Sequence, residues 1–303
     1  MNEKKYIFVI NPHAGVADAS AQIRTAVDAL PQRDQCEIYE TNGNTDATVF
    51  VRNYCKEHPE QPVRFIACGG DGTLSEVFNG VIGYDNAEVS CYPCGSGNDF
   101  VKSFGGAKRF LNIPDLIAAE AEKIDMLKVG DRYSNNVVNF GFDTVVAMTV
   151  NEGRAQKGNA GKSLYTKGII RALITSMKNR FEVRADGELL NPDGIALLCT
   201  LGNGQFVGGS FHCAPRADLH DGLVEVCLVK PISRLKFVSL IGAYVKGTHL
   251  DDPRMQNLMV YRKAKTVEVT APEGFAYSLD GEIIHENHFI VEVVPSMVKF
   301  AAP

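Results

Sequence analysis

Residues 69–73 read Gly-Gly-Asp-Gly-Thr, between an apolar run and the start of an amphipathic helix. The run 63–68 is short, apolar and partly β-branched or aromatic, as expected of a buried strand. After it, Leu74, Val77, Phe78, Val81 and Ile82 recur at helical spacing on one face. Three glycines and one carboxylate therefore occupy a strand-to-helix turn. Glycines there let the backbone approach a ligand closely, and the N–H groups that open the helix favour an anion. Asp71 would repel a bare phosphate, so the combination points to a nucleotide phosphate with a divalent cation between. A structural account competes with this one. Thr73-Leu-Ser-Glu76 fits a helix capping box, and Gly-rich strand–helix turns also occur without any ligand.

The elements that would position this turn follow from the rest of the first 129 residues. Strand-like runs at 6–10, 36–39, 63–68 and 89–93 alternate with helical patterns. The first helix carries Ala19, Ile23, Ala26, Val27 and Leu30 on one face, and the second runs through Val49, Val51 and Tyr54. Repeated βα units predict an α/β domain with a parallel sheet and ligands beyond the carboxyl ends of its strands. Each of the four strands is followed by a distinctive loop: Asn11-Pro-His-Ala-Gly15, Thr41-Asn-Gly-Asn-Thr45, the Gly69 turn, and Cys94-Gly-Ser-Gly-Asn-Asp99. From 130 the pattern changes to strand-like pieces flanked by Asp-Gly turns, interrupted by helical patterns near 161–178 and 233–246. This predicts a mainly antiparallel β domain over 130–295, with a tail, 296–303, able to pack back on the first domain.

Composition limits the function classes. At 303 residues the chain accommodates two domains, and its 45% hydrophobic and 22% charged content is ordinary for a globular protein. A net charge of −5 argues against general nucleic-acid binding. Cys91-Tyr-Pro-Cys94 is a C-x-x-C pair without a second pair, and His285-Glu-Asn-His288 is one residue short of a zinc-protease spacing. Met1 leads straight into a strand with no signal-peptide pattern, and no run approaches the roughly 18 apolar residues of a spanning helix. A soluble cytoplasmic protein is the expectation.

The order and spacing of Asn11-Pro, Gly69-Gly-Asp-Gly-Thr73, Pro93-Cys-Gly-Ser-Gly-Asn-Asp-Phe100, Asp218-Leu-His-Asp-Gly-Leu-Val224 and Leu279-Asp-Gly-Glu282 resemble the diacylglycerol kinase catalytic-domain family, and within it the soluble bacterial lipid kinases related to diacylglycerol and sphingosine kinases. The resemblance runs from Asn11 to Glu282. It implies a nucleotide-binding domain like that of NAD kinase and phosphofructokinase, a β-sandwich domain that takes the lipid, and transfer of the γ-phosphoryl group of ATP to a lipid hydroxyl. It implies ATP contacts from Asn11, Thr41, Gly69, Gly70, Asp71, Gly72, Thr73, Leu74, Ser75, Gly95 and Ser96. Asp71, Asp99 and Asp125 would form a carboxylate–water network around Mg²⁺, and Glu282 would be the general base. Because Glu282 lies some two hundred residues after Asp71, the two domains would have to bring it to the γ-phosphate. A second, structural metal would bind Asp221 and the main-chain oxygens of Val224 and Val226, with Asp218 as an alternative ligand; a plain Asp-Gly hairpin turn is equally consistent with those residues. Ala14 stands where the family often carries a small hydroxyl residue.

Arg154, Lys157, Lys162, Lys167, Arg171, Lys178 and Arg180 fall in one segment with no acidic residue, interleaved with Leu164, Tyr165, Ile169, Ile170, Leu173, Ile174 and Met177. Such a basic amphipathic helix suits peripheral contact with an anionic membrane at the inner face, or else a solvated basic face on the β domain. Diacylglycerol is the expected acceptor, with a sphingoid base or polyprenol next. NAD kinase, which shares the G-G-D-G-T turn, and a non-catalytic nucleotide- or lipid-binding regulator are the other readings. A dimer through an exposed sheet edge is possible on this sequence.

Overall fold

The computed structural model describes residues 3–15, 19–43, 45–157 and 162–303, and the side chains of these except 154–157 and 162. The chain divides into two compact units, Met1–Asp125 with Ser296–Pro303, and Met126–Pro295.

The first unit alternates strand and helix: β1 (Lys5–Ile10), α1 (Ser20–Asp28), β2 (Cys36–Glu40), α2 (Asp46–Glu57), β3 (Val63–Gly69), α3 (Asp71–Val81) and β4 (Ala87–Pro93). Single-turn 3-10 segments at Phe100–Phe104 and Ala107–Phe110 follow, then α4 (Ile113–Ala118) and β5 (Ala121–Val129), within which the division at Asp125 falls. The sheet order is β2-β1-β3-β4, all parallel, with Ile10 opposite both Glu40 and Cys68, and Gly69 opposite Pro93. All four strands therefore end at one edge. Strand order reverses between β1 and β3, where open α/β sheets leave a crevice. β3 is buried at every position, as its apolar run requires.

Two expectations about helix faces are corrected. On α2 the buried residues are Ala47, Val51 and Cys55, while Val49 is 54% exposed. Positions 49 and 51 cannot share a helical face, so the spacing of Ala47, Val51 and Cys55 prevails. Thr73 and Glu76 do not form a capping box either: α3 begins at Asp71 with Gly70 as its N-cap. The Glu76 carboxylate instead accepts the Thr45 and Ala47 backbone N–H groups at 3.0 and 3.2 Å, capping α2 rather than its own helix.

The second unit holds β6 (Arg132–Ser134), β7 (Val137–Gly141), α5 (Phe142–Lys157), α6 (Lys162–Thr175), β8 (Asn179–Arg180), β9 (Glu182–Ala185), β10 (Glu188–Leu189), β11 (Ile195–Ala196), β12 (Leu198–Gly202), β13 (Val224–Val229), α7 (Arg234–Lys246), β14 (Met259–Ala264), β15 (Thr266–Thr270), β16 (Ala276–Leu279) and β17 (Glu282–His285). The last strand, β18 (His288–Ala301), pairs antiparallel with β15 in this unit. From Ser296 onward it belongs to the first unit, where Phe300 lies opposite Val89. One sheet runs β14-β13-β12-β7-β16-β17, and the run β10-β9-β15-β18 faces it. Between them lies a single apolar core drawn from alternate residues of both, including Val138, Phe140, Leu201, Val226 and Leu228 opposite Val183, Val267, Val269, Phe289 and Val291. This is an antiparallel sandwich.

The other face of the six-stranded sheet is covered by helices. Phe142, Leu197, Leu198 and Val229 form a smaller cluster with Ala172 and Leu173 of α6 and Phe237 of α7. The basic segment expected as one helix is divided: it comprises the end of α5, α6 and β8, with 158–161 outside the described residues.

Candidate active site

The four carboxyl-edge loops are joined by specific bonds. Asn11 donates its backbone N–H to the Cys68 carbonyl at 2.9 Å, and Cys94 donates to the Gly69 carbonyl at 2.9 Å. The loops after β1, β3 and β4 are thus stitched in sequence. Thr41, buried at the end of β2, donates to the Ile10 carbonyl at 2.8 Å and stands beside Asn11. The Asn11 side chain accepts from the His13 N–H at 3.0 Å and donates to the Thr73 hydroxyl at 3.1 Å. Asn11 therefore fixes its own loop and the first turn of α3 together. Ala14 contributes a backbone N–H, donated to the Asn11 carbonyl at 3.1 Å.

Glycine is required here by contact. A Cβ on Gly95 would collide with the backbone of Gly70, and one on Gly15 with the Cys94 carbonyl. These loops pack backbone against backbone, at distances only glycine permits. The first helical bond of α3 runs from Leu74 to Gly70, so the N–H groups of its first turn have no carbonyl partner in their own helix. Gly72 and Ser96 are exposed there, and Ser75 is half-buried. An anion is the natural occupant of such a helix start.

The charged groups are Asp71, Asp99 and Lys102. One Asp71 carboxylate oxygen, Oδ1, accepts the backbone N–H groups of Asp99 at 2.6 Å and Phe100 at 3.3 Å. The other, Oδ2, lies 2.8 Å from the position a Cβ on Gly97 would take, and the Asp99 Oδ2 lies 3.3 Å from that same position. Two carboxylates therefore converge on the bare face of Gly97. Burial, and then the neighbouring Asp99 charge, push the Asp71 carboxyl above its usual range, against the Phe100 and Asp99 N–H groups and the Lys102 ammonium. Lys102 bonds to Asp99 Oδ1 from one turn on. Lys102 was not foreseen from the sequence, although its spacing of three from Asp99 was available. Such a carboxylate pair could hold a divalent cation, since Mg²⁺ needs only one or two protein carboxylates.

Asp125 is buried on β5 and accepts the Ser296 N–H at 2.8 Å, a bond to the returning C-terminal strand. The Asp221 turn is already occupied by a cation of the chain itself: Lys263 Nζ lies 2.6 Å from Asp221 Oδ2, and Leu223 N–H donates to Oδ1 at 3.0 Å. Val224 and Val226 are buried on β13, between β12 and β14. Asp218 accepts from the His220 N–H at 3.0 Å. A metal at this turn would have to displace the Lys263 ammonium. Among the described residues no group of three or more His, Cys, Asp or Glu side chains is arranged to hold a metal. All eight cysteines are free thiols.

In the second unit, Glu282 opens β17 after a tight turn. Its carboxylate pairs with Arg132 at 2.7 Å, both side chains more than half exposed. The turn is held by its neighbour Asp280, which has φ 49°. Asp280 accepts from the Ser134 hydroxyl at 2.7 Å and from the N–H groups of Asn135, Asn136 and Val137 at 3.0, 3.2 and 2.9 Å. In the D-G-E motif the aspartate is thus an anchor and the glutamate faces outward. A second feature missed in the sequence is Asp143 at the β7–α5 junction. Its Oδ2 is buried with no hydrogen-bond partner among the described residues, and burial pushes its carboxyl up to about 7. The signal was a carboxylate directly after the strand-like run 137–142.

Residues 5–129 match the family described as the diacylglycerol kinase catalytic domain, and residues 136–302 match the YegS C-terminal NAD kinase beta sandwich-like domain. The chain is 30% identical over 253 residues to the diacylglycerol kinase of Bacillus subtilis (strain 168), covering 80% of each. It is 28% identical over 305 residues to a protein named "Probable lipid kinase YegS-like" from Xanthomonas oryzae pv. oryzae (strain MAFF 311018), covering 95% of this chain and 94% of the relative. The fold is shared with a crystal structure of a diacylglycerol kinase from Bacillus anthracis str. Sterne, with TM-score 0.72 at 20% identity over 99% of this chain and 97% of the other. These matches decide against the NAD kinase and non-catalytic readings: the chain belongs to the diacylglycerol kinase catalytic-domain family and is an ATP-using lipid kinase.

Proposed function

We propose that this lipid kinase phosphorylates diacylglycerol, giving phosphatidic acid. The observation that carries the catalytic part is the convergence of Asp71 and Asp99 on Gly97 at the glycine-lined edge of the sheet. The acceptor is supported by the diacylglycerol kinase of Bacillus subtilis, the 30% identical relative. In this reading the ATP phosphates lie against the backbone of Gly69, Gly70, Gly72 and Gly95, with Asn11, Thr41, Thr73, Leu74, Ser75 and Ser96 around the nucleotide.

Asp71 and Asp99 fit a Mg²⁺ ion, because the Asp71 carboxyl, pushed up by burial and by the Asp99 charge beside it, is relieved by a cation as well as by a proton. Bound there, the ion would neutralise charge on the β- and γ-phosphates. Asp125 joins this network through water. The lipid oxygen forms a bond to the γ-phosphorus as the bridging bond to the β-phosphate breaks, and ADP leaves. Glu282 takes the proton of the lipid hydroxyl, and Arg132 holds its carboxylate in position. At Asp221 the Lys263 ammonium supplies the positive charge, so no step is assigned to a metal there. The chain works in the cytoplasm against the inner membrane face, with the basic residues from Arg154 to Arg180 contributing to contact with anionic lipid.

Incubation with γ-labelled ATP, Mg²⁺ and a panel of diacylglycerol, sphingoid base and polyprenol in mixed micelles tests the acceptor. Label is expected in phosphatidic acid; label confined to a sphingoid or polyprenyl phosphate would replace diacylglycerol as the substrate.

A further inference from the structure

α6 and α7 have an unusual outer surface. Their inner faces pack on one cluster, with Ala172 and Leu173 from α6 and Phe237 from α7. The two helices are tied at their ends: Arg234 donates from Nε to the Leu173 carbonyl at 2.6 Å and from Nη2 to the Ile174 carbonyl at 3.2 Å. Outward, where polar residues are expected, stand Ile170 (53% exposed), Ile174 (67%), Leu235 (86%) and Val238 (64%). Val245 continues the stripe one helical repeat beyond Val238. Among the described residues, five of the eight most exposed large hydrophobics lie on these two helices, so the apolar exposure is concentrated rather than scattered.

The charge carried by the two helices themselves is of one sign. Neither helix contains an acidic residue, in a chain of net charge −5. Lys167, Lys178, Lys236 and Lys246 have exposed side chains around the apolar residues, and Arg171 is paired with Glu152 at 2.8 Å. An ordinary solvated basic face does not explain the outward Ile and Leu side chains. A surface that is apolar at its centre and cationic at its rim matches a bilayer whose headgroups are anionic: apolar side chains enter the acyl boundary, and lysine stems run upward to the phosphates.

We propose that α6 and α7 together form a membrane-docking surface, with Ile170, Ile174, Leu235 and Val238 entering an anionic bilayer and Lys167, Lys178 and Lys236 contacting its headgroups. The anchor is therefore a helix pair, with α7 supplying the most exposed apolar residue, rather than the basic segment alone. The proposal stands independently of which lipid is phosphorylated.

Sedimentation of the full chain with vesicles of phosphatidylcholine, with or without phosphatidylglycerol and free of any acceptor lipid, tests it. The wild-type chain is expected to bind the phosphatidylglycerol vesicles, with binding falling as salt rises. Leu235→Glu/Val238→Glu should bind at least about tenfold more weakly, while turnover of a detergent-solubilised acceptor and the melting temperature stay unchanged. Lys167→Glu/Lys236→Glu should remove the preference for phosphatidylglycerol. Wild-type-like vesicle binding by the Leu235→Glu/Val238→Glu variant would overturn the proposal. So would indifference of the wild type to phosphatidylglycerol, or conversion of a wild-type dimer to monomer by that variant with vesicle binding unaltered, which would assign the face to a second copy of the chain.

Discussion

The Asp71 carboxylate holds the backbone N–H of Asp99 at 2.6 Å with one oxygen and turns the other toward the Asp99 carboxylate across Gly97. The same side chain therefore does two jobs. Oδ1 locks the β4 loop onto the start of α3, and Oδ2 offers negative charge to the crevice. On the proposed reading, this division explains why an acidic residue is found at a helix start suited to phosphate: it organises the loop and would supply a ligand for the cation that makes phosphate acceptable.

Gly97→Ala tests how closely the two carboxylates must approach. The added Cβ would meet Asp71 Oδ2 at 2.8 Å and Asp99 Oδ2 at 3.3 Å, so one carboxylate must move. kcat/KM is expected to fall by about tenfold or more, because a displacement of a few tenths of an ångström at the reacting charge is costly. Unfolding free energy should change by no more than about 1 kcal/mol, as at other sites where a flexible side chain can yield. Steady-state kinetics and urea unfolding of the same preparation separate the two effects.

The D-G-E turn predicts opposite phenotypes for neighbours. Asp280→Ala leaves the Ser134 hydroxyl and three backbone N–H groups without their acceptor, and should destabilise the chain by about 2–4 kcal/mol. Glu282→Ala removes only an exposed ion pair with Arg132 and should cost less than about 1 kcal/mol. Turnover behaves in the reverse way: Glu282→Ala should abolish phosphate transfer while ATP binding persists. Unchanged turnover in that variant would remove Glu282 from the mechanism.

Asp143 predicts a pH dependence of stability. Its folded carboxyl titrates near 7, raised by burial from the ordinary 3.8. Between those values the folded chain holds a proton that the unfolded chain has released. Stability from this group is thus complete below about pH 4 and is lost as pH rises through about 7. Asp143→Asn should be more stable than wild type at pH 8, by on the order of 1 kcal/mol or more, and melt at a higher temperature, with a smaller difference at pH 5. Glu225, also raised to about 7 by burial, will leave a residual slope in the variant. Melting curves across pH 4–8 for both proteins measure the difference.

What the sequence revealed, and what it hid, follows from the range of each interaction. The βα units were legible because strand runs and helical periodicity are local, and the glycines of the Gly69 turn declared themselves by type. Glu76 was misread because its partners, Thr45 and Ala47, lie about thirty residues away, whereas Thr73 lies at capping-box distance. Asp280 was visible as a turn residue, but its four donors come from 134–137, so its anchoring role required the fold. Asp125 illustrates the same point: its type suggested a carboxylate network, and the bond it makes is to a strand 171 positions later. The basic segment had a clear charge pattern and contains Ile170 and Ile174, yet the other exposed apolar residues, Leu235, Val238 and Val245, lie on α7, which tertiary packing alone brings beside α6.

In the proposed mechanism Asp71, with Asp99, holds the cation that carries ATP. Asp71→Asn retains an oxygen to accept the Asp99 and Phe100 N–H groups and removes the charge, so it tests chemistry without dismantling the loop. The measurement is titration calorimetry of a non-hydrolysable ATP analogue with and without Mg²⁺. The wild type should bind the analogue more tightly with Mg²⁺. Asp71→Asn should lose that increment, melt within a few degrees of wild type, and transfer phosphate about 10²–10³-fold more slowly. An Asp71→Asn chain that keeps the full Mg²⁺ increment and its rate would show that Asp71 does not hold the cation.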